Sequence, residues 1–139
     1  MKPFYWAILA AIAWGCAPIL EKLGLSKIPV FTGLVFRSIG VLVGAIILIL
    51  FQLQTVKEAF LKLPQGWGLL VLGGLVASII GQIFFYHGLK NGEASLMVPL
   101  AASYPLISFI LGVVFLGEQV SLAKISGLLL IIAGVFLLK

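Results

Sequence analysis

Residues 93–139 read EASLMVPLAASYPLISFILGVVFLGEQVSLAKISGLLLIIAGVFLLK, and this stretch decides the fold. Two long apolar runs flank a short polar break at residues 117–119, and the first run contains Pro99 and Pro105. A proline inside a helix costs about 3 kcal/mol in water, because a backbone hydrogen bond is lost. In a membrane, neighbouring helices and serine side chains satisfy the freed carbonyl groups. The stretch therefore predicts a bent transmembrane helix, a turn held by Glu118, and a second span.

The composition of the whole chain indicates the solvent in which it folds. Of the 139 residues, 63% are hydrophobic and 9% are charged, whereas soluble domains have about 25% charged residues. A soluble domain of this size could not bury so much apolar surface, so the lipid bilayer is the predicted environment. The net charge of +5 does not indicate nucleic-acid binding, because the basic residues are scattered singly between apolar runs.

Reactive and metal-binding side chains are too few for an enzyme or a metal site. Cys16 is the single cysteine and His87 the single histidine, which excludes an internal disulfide and a multi-cysteine metal site. Trp14, two residues earlier, argues against lipoprotein cleavage, so Cys16 is predicted to be a small buried thiol. The sequence has no Ser/His/Asp arrangement, no paired intramembrane carboxylates and no phosphate-binding glycine loop. We therefore expect no catalytic residue, no metal and no cofactor.

Five apolar runs organise the chain as a single transmembrane domain, residues 1–139. The runs lie at residues 4–20, 29–51, 67–89, 94–116 and 121–138. About 20 helical residues, rising 1.5 Å each, cross a hydrocarbon core of about 30 Å. The predicted fold class is therefore all-α, an integral membrane bundle of five transmembrane helices. The break at residues 52–66 is long enough for an additional interfacial helix.

The basic residues show no preference for one side of the membrane, although such a preference normally sets orientation. With five spans, the two termini lie on opposite sides. One side then receives Lys2, Lys57, Lys62 and Lys124, and the other receives Lys22, Lys27, Lys90 and Lys139, with Arg37 as a fifth if it is counted. A chain without this bias is predicted to insert in both orientations.

Small residues and prolines predict where helices pack closely or bend. Gly40 and Gly44 form a GxxxG pair on one stripe of the second run, which permits close helix approach. Pro18 interrupts the first run and Pro105 the fourth, and both are expected to have a structural role as kinks.

Arg37 is the one charge well inside a predicted span. Such an arginine costs about 2.5–3.5 kcal/mol on insertion scales and usually faces a cavity or a partner. Two interpretations stay open: Arg37 attracts an anionic group of a substrate, or it pairs with Glu21 or Glu118 or reaches the interface. Glu21 lies at the end of the first run, so no run contains a central carboxylate that would indicate proton coupling.

Other polar and aromatic residues could line a substrate pathway. Trp14 is either an aromatic wall of a cavity or packing around the kink at Pro18. Gln82 and Tyr86 belong to a narrow polar stripe with Gly74 and Ser78 at intervals of four residues. In the fourth run Pro99 and Ser103 share one helical face, and Tyr104 lies on the next.

At these positions the chain resembles one EamA-type repeat of the drug/metabolite transporter superfamily. The resemblance covers nearly the whole chain and lies in Trp14-Gly15 followed by Lys22, Phe36-Arg37-Ser38, Ala94 to Pro99, Tyr104-Pro105, Gly117-Glu118, Gly127 and Gly134. Proteins of this family usually have ten helices, built as two inverted five-helix repeats with the substrate near the membrane midplane. The resemblance implies a transporter of small solutes that works by alternating access. Its predicted lining residues are Trp14, Arg37, Gln82, Tyr86, Pro99, Ser103 and Tyr104.

A single repeat has no second half with which to enclose a cavity. A chain that inserts both ways could obtain that half from an inverted copy, so the predicted assembly is an antiparallel homodimer of ten helices. Its expected location is the prokaryotic cytoplasmic (inner) membrane, and its expected partners are a small-molecule substrate and the lipid bilayer. Two alternatives remain: a non-transporting subunit that pairs with a different membrane protein, and a subunit of a lipid-linked sugar translocase.

Overall fold

The computed structural model describes residues 3–138, and every regular element in that range is helical. The predicted all-α fold class is confirmed. Lys2 and Lys139, which entered the predicted charge distribution, lie outside the described residues. The helices are α1 (Pro3–Leu25), α2 (Val30–Phe51), α3 (Leu53–Lys62), α4 (Trp67–Leu75), a π turn (Val76–Gly81), α5 (Gln82–Asn91), α6 (Ala94–Ala101), α7 (Pro105–Leu116) and α8 (Leu122–Leu137).

Within residues 3–138, four helical segments are long and apolar enough to cross a membrane. They are Pro3–Leu25, Val30–Phe51, Trp67–Asn91 and Ala94–Leu116. The fifth apolar run forms α8, which has 16 residues and a length of about 24 Å at 1.5 Å per residue. A span of that length is accommodated by local thinning of the bilayer or by its flanking residues. Four of the five predicted spans thus have membrane length, and the fifth is a shorter apolar helix.

The chain divides into two compact units, one of residues 20–90 and one of the segments before residue 20 and after residue 90. In the first unit, apolar side chains are buried where α1 ends, α2 begins and α5 ends: Leu25, Val30, Leu34, Tyr86 and Leu89. Gly33 permits this packing, because a Cβ at that position would lie 2.8 Å from Leu25 Cδ2. Glycine therefore lets α2 approach the end of α1 closely.

Two lysines hold the C-terminal end of α5 in the same unit. Lys22 Nζ donates to the carbonyl oxygens of Leu89 at 2.5 Å and Lys90 at 3.3 Å, and Lys90 Nζ donates to Ile28 O at 2.7 Å. The last carbonyls of a helix have no partner within the helix and carry partial negative charge. An ammonium group therefore supplies hydrogen-bond donors and compensates this charge. These bonds fix α5 against α1 and the segment that precedes α2.

The third membrane-length segment contains a π turn that the hydropathy pattern did not predict. α4 and α5 are joined by Val76–Gly81, in which the helix widens to the i→i+5 pattern. A Cβ at Gly81 would lie 3.4 Å from Val76 O, at the limit of ordinary van der Waals contact. Turns of this kind occur frequently at functional sites.

In the second unit the predicted bent helix is two helices, α6 and α7, separated at residues 102–104. Pro99 remains inside α6, whereas Pro105 occupies the first turn of α7, where a missing N–H breaks no helical bond. Ser103 Oγ donates to Leu100 O at 2.7 Å. A serine therefore satisfies a carbonyl beside the break, as the sequence suggested for the serines of this run.

The turn between α7 and α8 is closed by Glu118. Gly117 has φ +65°, the left-handed conformation that suits glycine at a helix end. Glu118 N–H donates to Gly112 O at 3.2 Å, and its carboxylate lies 3.8 Å from Lys124 Nζ. Ser121 Oγ accepts from the Lys124 N–H at 3.2 Å and caps α8.

Candidate functional site

A polar cluster joins three helices within the unit of residues 20–90. Arg37 Nε of α2 donates to Glu21 Oε1 of α1 at 3.1 Å. Gln82 Nε2, at the start of α5, donates to Glu21 Oε1 at 3.4 Å and Oε2 at 3.3 Å. The cluster Glu21–Arg37–Gln82 therefore places two opposite charges and an amide between helices of membrane length.

Glu21 belongs to this cluster because α1 is longer than its apolar run. The run was predicted to end at residue 20, whereas α1 continues to Leu25. The hydropathy falls at Glu21-Lys22, but neither residue interrupts the backbone hydrogen bonds of a helix. Glu21 therefore lies within the last turns of a membrane-length helix, and not in a loop.

The ion pair gives Arg37 one of the two carboxylate partners that the sequence left open. The partner is Glu21, and the two side chains are 28% and 17% exposed. An unpaired charge in this position would be costly in a membrane helix, and pairing reduces that cost. The guanidinium uses Nε for Glu21, and within the described residues its terminal nitrogens make no hydrogen bond. The terminal N–H groups can therefore serve a ligand.

Two hollows meet at Arg37. One, of about 280 Å³, is lined by Glu21, Arg37 and Tyr86, with Gly33 among its small residues. The other, of about 310 Å³, is lined by Arg37 together with Ser38, Gly74 and Ser78, and by apolar side chains of α2 and the third span. Arg37 thus lies on the wall of both hollows and can present hydrogen-bond donors to a solute in either.

The π turn divides the predicted polar stripe between these hollows. Gly74 and Ser78 line the hollow of about 310 Å³, whereas Tyr86 lines the hollow of about 280 Å³. Gln82 lies between them and bonds Glu21. A regular helix would keep these residues on one face, whereas the additional residue in a π turn rotates the following face. Both parts of the stripe therefore reach Arg37 from different directions.

Three of the seven predicted lining residues lie in this unit. Arg37 belongs to the ion pair, Gln82 donates to Glu21, and Tyr86 lines the hollow of about 280 Å³. The other four, Trp14, Pro99, Ser103 and Tyr104, lie in the second unit. The Trp14 and Tyr104 side chains are exposed. Ser103 is the polar member of an apolar hollow of about 450 Å³, formed by residues of α6, α7 and α8.

Several residues with predicted structural roles also have defined surroundings. Pro18 lies inside α1 and is buried. Gly40 and Gly44 face open space, since a Cβ at either position would meet no described atom within 4 Å. Cys16 is exposed, so the prediction of a buried thiol was wrong. Its neighbours in the first run are also mostly exposed, as expected for a helix that faces lipid or another chain.

The resemblance seen in the sequence is confirmed by comparison with known families. Residues 1–139 match the EamA-like transporter family over the full length of the chain. The chain belongs to the EamA-like transporter family. This EamA-like chain is therefore an integral membrane protein of the drug/metabolite transporter type, and several of its relatives are named uncharacterized transporters.

Relatives of the EamA-like chain occur in two lengths. It is 30% identical over 137 residues to an uncharacterized transporter of a Sinorhizobium species, covering 96% of this chain and 94% of that protein. It is 29% identical over 132 residues to an uncharacterized protein of Methanocaldococcus jannaschii, covering 95% and 92%. An uncharacterized transporter of Archaeoglobus fulgidus is 22% identical over 138 residues, which cover 99% of this chain but 48% of that protein. No solved structure matches the chain.

Sequence reasoning missed two members of the EamA-like chain's polar site as candidate lining residues. Glu21 was assigned to the loop, although the segment from Glu21 to Leu25 contains no proline and could have been recognised as helical. Ser78 was recognised in the stripe but not selected, because a single serine in an apolar helix is common. Its position in a π turn opposite Arg37 has no signal in the sequence.

Proposed function

We propose that the EamA-like chain transports small solutes by alternating access, with the cluster Glu21–Arg37–Gln82 at the centre of its substrate site. The observation that carries this proposal is an ion pair between membrane helices with a hollow on each side. Ionisable residues inside membrane spans usually mark substrate or ion pathways. Membership of a transporter family supports a substrate pathway over a purely structural pair.

The size of the hollows supports a small metabolite as substrate. Volumes of about 280 Å³ and 310 Å³ lie at the lower end of the roughly 300–1,000 Å³ that is typical of ligand pockets. Arg37, Gln82 and Tyr86 are the proposed binding residues in this unit. Trp14, Pro99, Ser103 and Tyr104 stay predicted lining residues, and the same binding assay tests each of them.

We also propose that the transporter is an antiparallel homodimer in the cytoplasmic membrane. The longer relative from Archaeoglobus fulgidus has about twice the length matched by this chain, so one chain corresponds to half of it. The even distribution of lysines favours insertion in both orientations. Gly40 and Gly44 leave the GxxxG stripe of α2 open in the described part of the chain, and such stripes pack closely against other helices. An inverted second copy would supply both the missing half and a partner for this stripe.

A binding screen tests the proposed substrate site. Amino acids, organic cations and phosphorylated metabolites are added to the purified protein, and solutes that raise its melting temperature are then tested for counterflow in proteoliposomes, since a ligand stabilises the folded state. We expect at least one solute to stabilise the protein and to undergo counterflow. Arg37→Gln should abolish both effects while the protein still inserts into membranes, whereas the matched control Lys124→Gln should keep them. Solute stabilisation that survives Arg37→Gln would contradict the site.

Labelling from both sides of the membrane tests the proposed dimer. In a Cys16→Ser background, a cysteine replaces Gln65 in the loop between α3 and α4, and intact cells are treated with an impermeant thiol reagent before and after permeabilisation. Insertion in both orientations predicts that about half of the copies react before permeabilisation. Reaction of all copies, or of none, before permeabilisation would exclude an antiparallel homodimer.

The apolar hollow of the second unit favours one second candidate, a translocase subunit for a lipid-linked substrate. Its volume of about 450 Å³ and its lining by Leu96, Met97, Leu100 and Phe136 would suit an acyl or isoprenoid chain. This candidate predicts that a lipid-linked sugar stabilises the protein, that Leu100→Trp abolishes the effect, and that Arg37→Gln does not. The opposite pattern favours the polar site.

A further inference from the structure

The hollow of about 280 Å³ beside Arg37 has an even balance of charge. Among the described residues that line this hollow and the one of about 310 Å³, Glu21 and Arg37 are the only ones that are charged, and they have opposite signs. The adjacent Lys22 lines neither hollow and directs its ammonium group to carbonyl oxygens at the end of α5. Both residues line the hollow of about 280 Å³, so the formal charge presented to a solute there is zero. The hollow of about 310 Å³ is lined by Arg37, whose charge is paired with Glu21.

This balance restricts which solutes the site can accept. In a membrane interior the effective dielectric constant is low, so a charge without a partner is strongly disfavoured. If a monoanion binds Arg37, one of the two negative charges, its own or that of Glu21, has no positive partner. If a monocation binds Glu21, one of the two positive charges has no negative partner. An uncharged solute disturbs neither charge. A zwitterion can exchange partners, because its acidic group replaces Glu21 at Arg37 while its basic group replaces Arg37 at Glu21.

We propose that the Glu21–Arg37 pair makes the site electroneutral and selects solutes with no net charge, either uncharged or zwitterionic. This inference rests on the proposed substrate site and specifies the class of solute that enters it. Its direct consequence is that removal of one member of the pair changes the ion that the site binds. Glu21→Gln leaves Arg37 alone and creates a site for small anions, whereas Arg37→Gln leaves Glu21 alone and creates a site for small cations.

The geometry supports both consequences. Arg37 uses one nitrogen for Glu21, so the guanidinium can direct its remaining N–H groups at an anion without moving. Gln82 is a neutral donor to both Glu21 oxygens and remains in place in either variant. The hollow of about 280 Å³ is wide enough for a small ion such as acetate or guanidinium beside the pair.

Thermal unfolding of the full chain in detergent tests this inference with two probe ions. Sodium acetate is compared with sodium gluconate, a larger anion, and guanidinium chloride is compared with N-methylglucamine chloride, at equal ionic strength. Acetate should raise the melting temperature of Glu21→Gln, and guanidinium that of Arg37→Gln, by about 4 °C at a concentration about tenfold above the Kd. Neither ion should raise the melting temperature of the wild type or of the double variant Glu21→Gln/Arg37→Gln, since guanidinium without a specific site acts only as a denaturant.

A matched control separates this site from a salt bridge at the surface. Glu118→Gln removes one member of the Lys124–Glu118 pair, whose side chains are 47% and 50% exposed. Water compensates the remaining charge there, so neither ion should change the melting temperature of this variant. A response of Glu118→Gln equal to that of Glu21→Gln would show a general salt effect and would overturn the inference.

The remaining outcomes also decide the question. Stabilisation of the wild type by acetate or guanidinium, or no ion-specific response of either single variant, would overturn the inference. If Glu21→Gln folds only when acetate is present during purification, the inference is supported; if it fails to fold with acetate while the double variant folds, the inference is wrong. Failure of the proposed function appears separately, as a wild type for which no solute undergoes counterflow, because the ion experiment requires no transported solute.

Discussion

Replacing Arg37 by glutamine removes one charge from a pair that is largely shielded from water. The donor and acceptor are 3.1 Å apart, and the Glu21 side chain is 17% exposed. Removing one partner of a fully buried pair costs about 3–5 kcal/mol, because the other charge remains without compensation. The partial exposure and the amide of Gln82 reduce this value, so we expect a loss of about 2 kcal/mol in the free energy of unfolding, with a similar loss for Glu21→Gln.

The double variant Glu21→Gln/Arg37→Gln distinguishes the interaction energy between the two charges from the energy of each charge with its other neighbours. If the two charges depend on each other, this variant should also lose about 2 kcal/mol, whereas the sum of the single losses is about 4 kcal/mol. The resulting coupling energy of about 2 kcal/mol is measured by denaturant or thermal unfolding in detergent, followed by tryptophan fluorescence. Single losses that add to within about 0.5 kcal/mol would refute the pairing.

The remaining predictions concern packing and helix ends. Gly33→Ala places a methyl group 2.8 Å from Leu25 Cδ2, so unfolding experiments should show a loss of about 1–3 kcal/mol. The control Gly68→Ala, whose added Cβ meets no atom within 4 Å, should show no loss. Lys22→Met removes the ammonium group that binds the end of α5 and should lower the free energy of unfolding by about 1–2 kcal/mol. Hydrogen exchange should become faster only for the amides near that end, and unchanged exchange would contradict this role. Glu118→Gln removes a half-exposed ion pair at 3.8 Å and should change stability by less than about 0.5 kcal/mol, and a larger loss would show that the carboxylate stabilises the turn by another contact.

The sequence was sufficient for the fold class because hydropathy and length determine which segments can span a membrane. The five apolar runs correspond to helices, and the break at residues 52–66 contains α3, as expected for an interfacial helix. The features that hydropathy did not predict depend on local backbone geometry. The π turn at residues 76–81 and the division between α6 and α7 both occur inside apolar runs, where hydropathy does not change.

The candidate site could be predicted only in part, for a related reason. Arg37 was identified because a charge within a span is rare, but its partner could not be chosen between Glu21 and Glu118, since both lie near the ends of runs. Only the three-dimensional arrangement places Glu21 3.1 Å from Arg37. Ser78 was recognised in the polar stripe, but its position beside Arg37 depends on the π turn, which a periodic stripe on a regular helix does not include.

If the hollow beside Arg37 belongs to a water-accessible substrate pathway, a cysteine in its wall should react with a reagent that is dissolved in water. In a Cys16→Ser background, Ser78→Cys places a thiol in the wall of the hollow of about 310 Å³, whereas Leu70→Cys places one on the same span at a side chain that is 81% exposed and apolar. In proteoliposomes, we expect a charged, membrane-impermeant thiol reagent to modify the cysteine at position 78 and not the one at position 70, since an exposed apolar position on a span is expected to contact lipid. Equal modification at both positions, or none at position 78, would contradict this pathway.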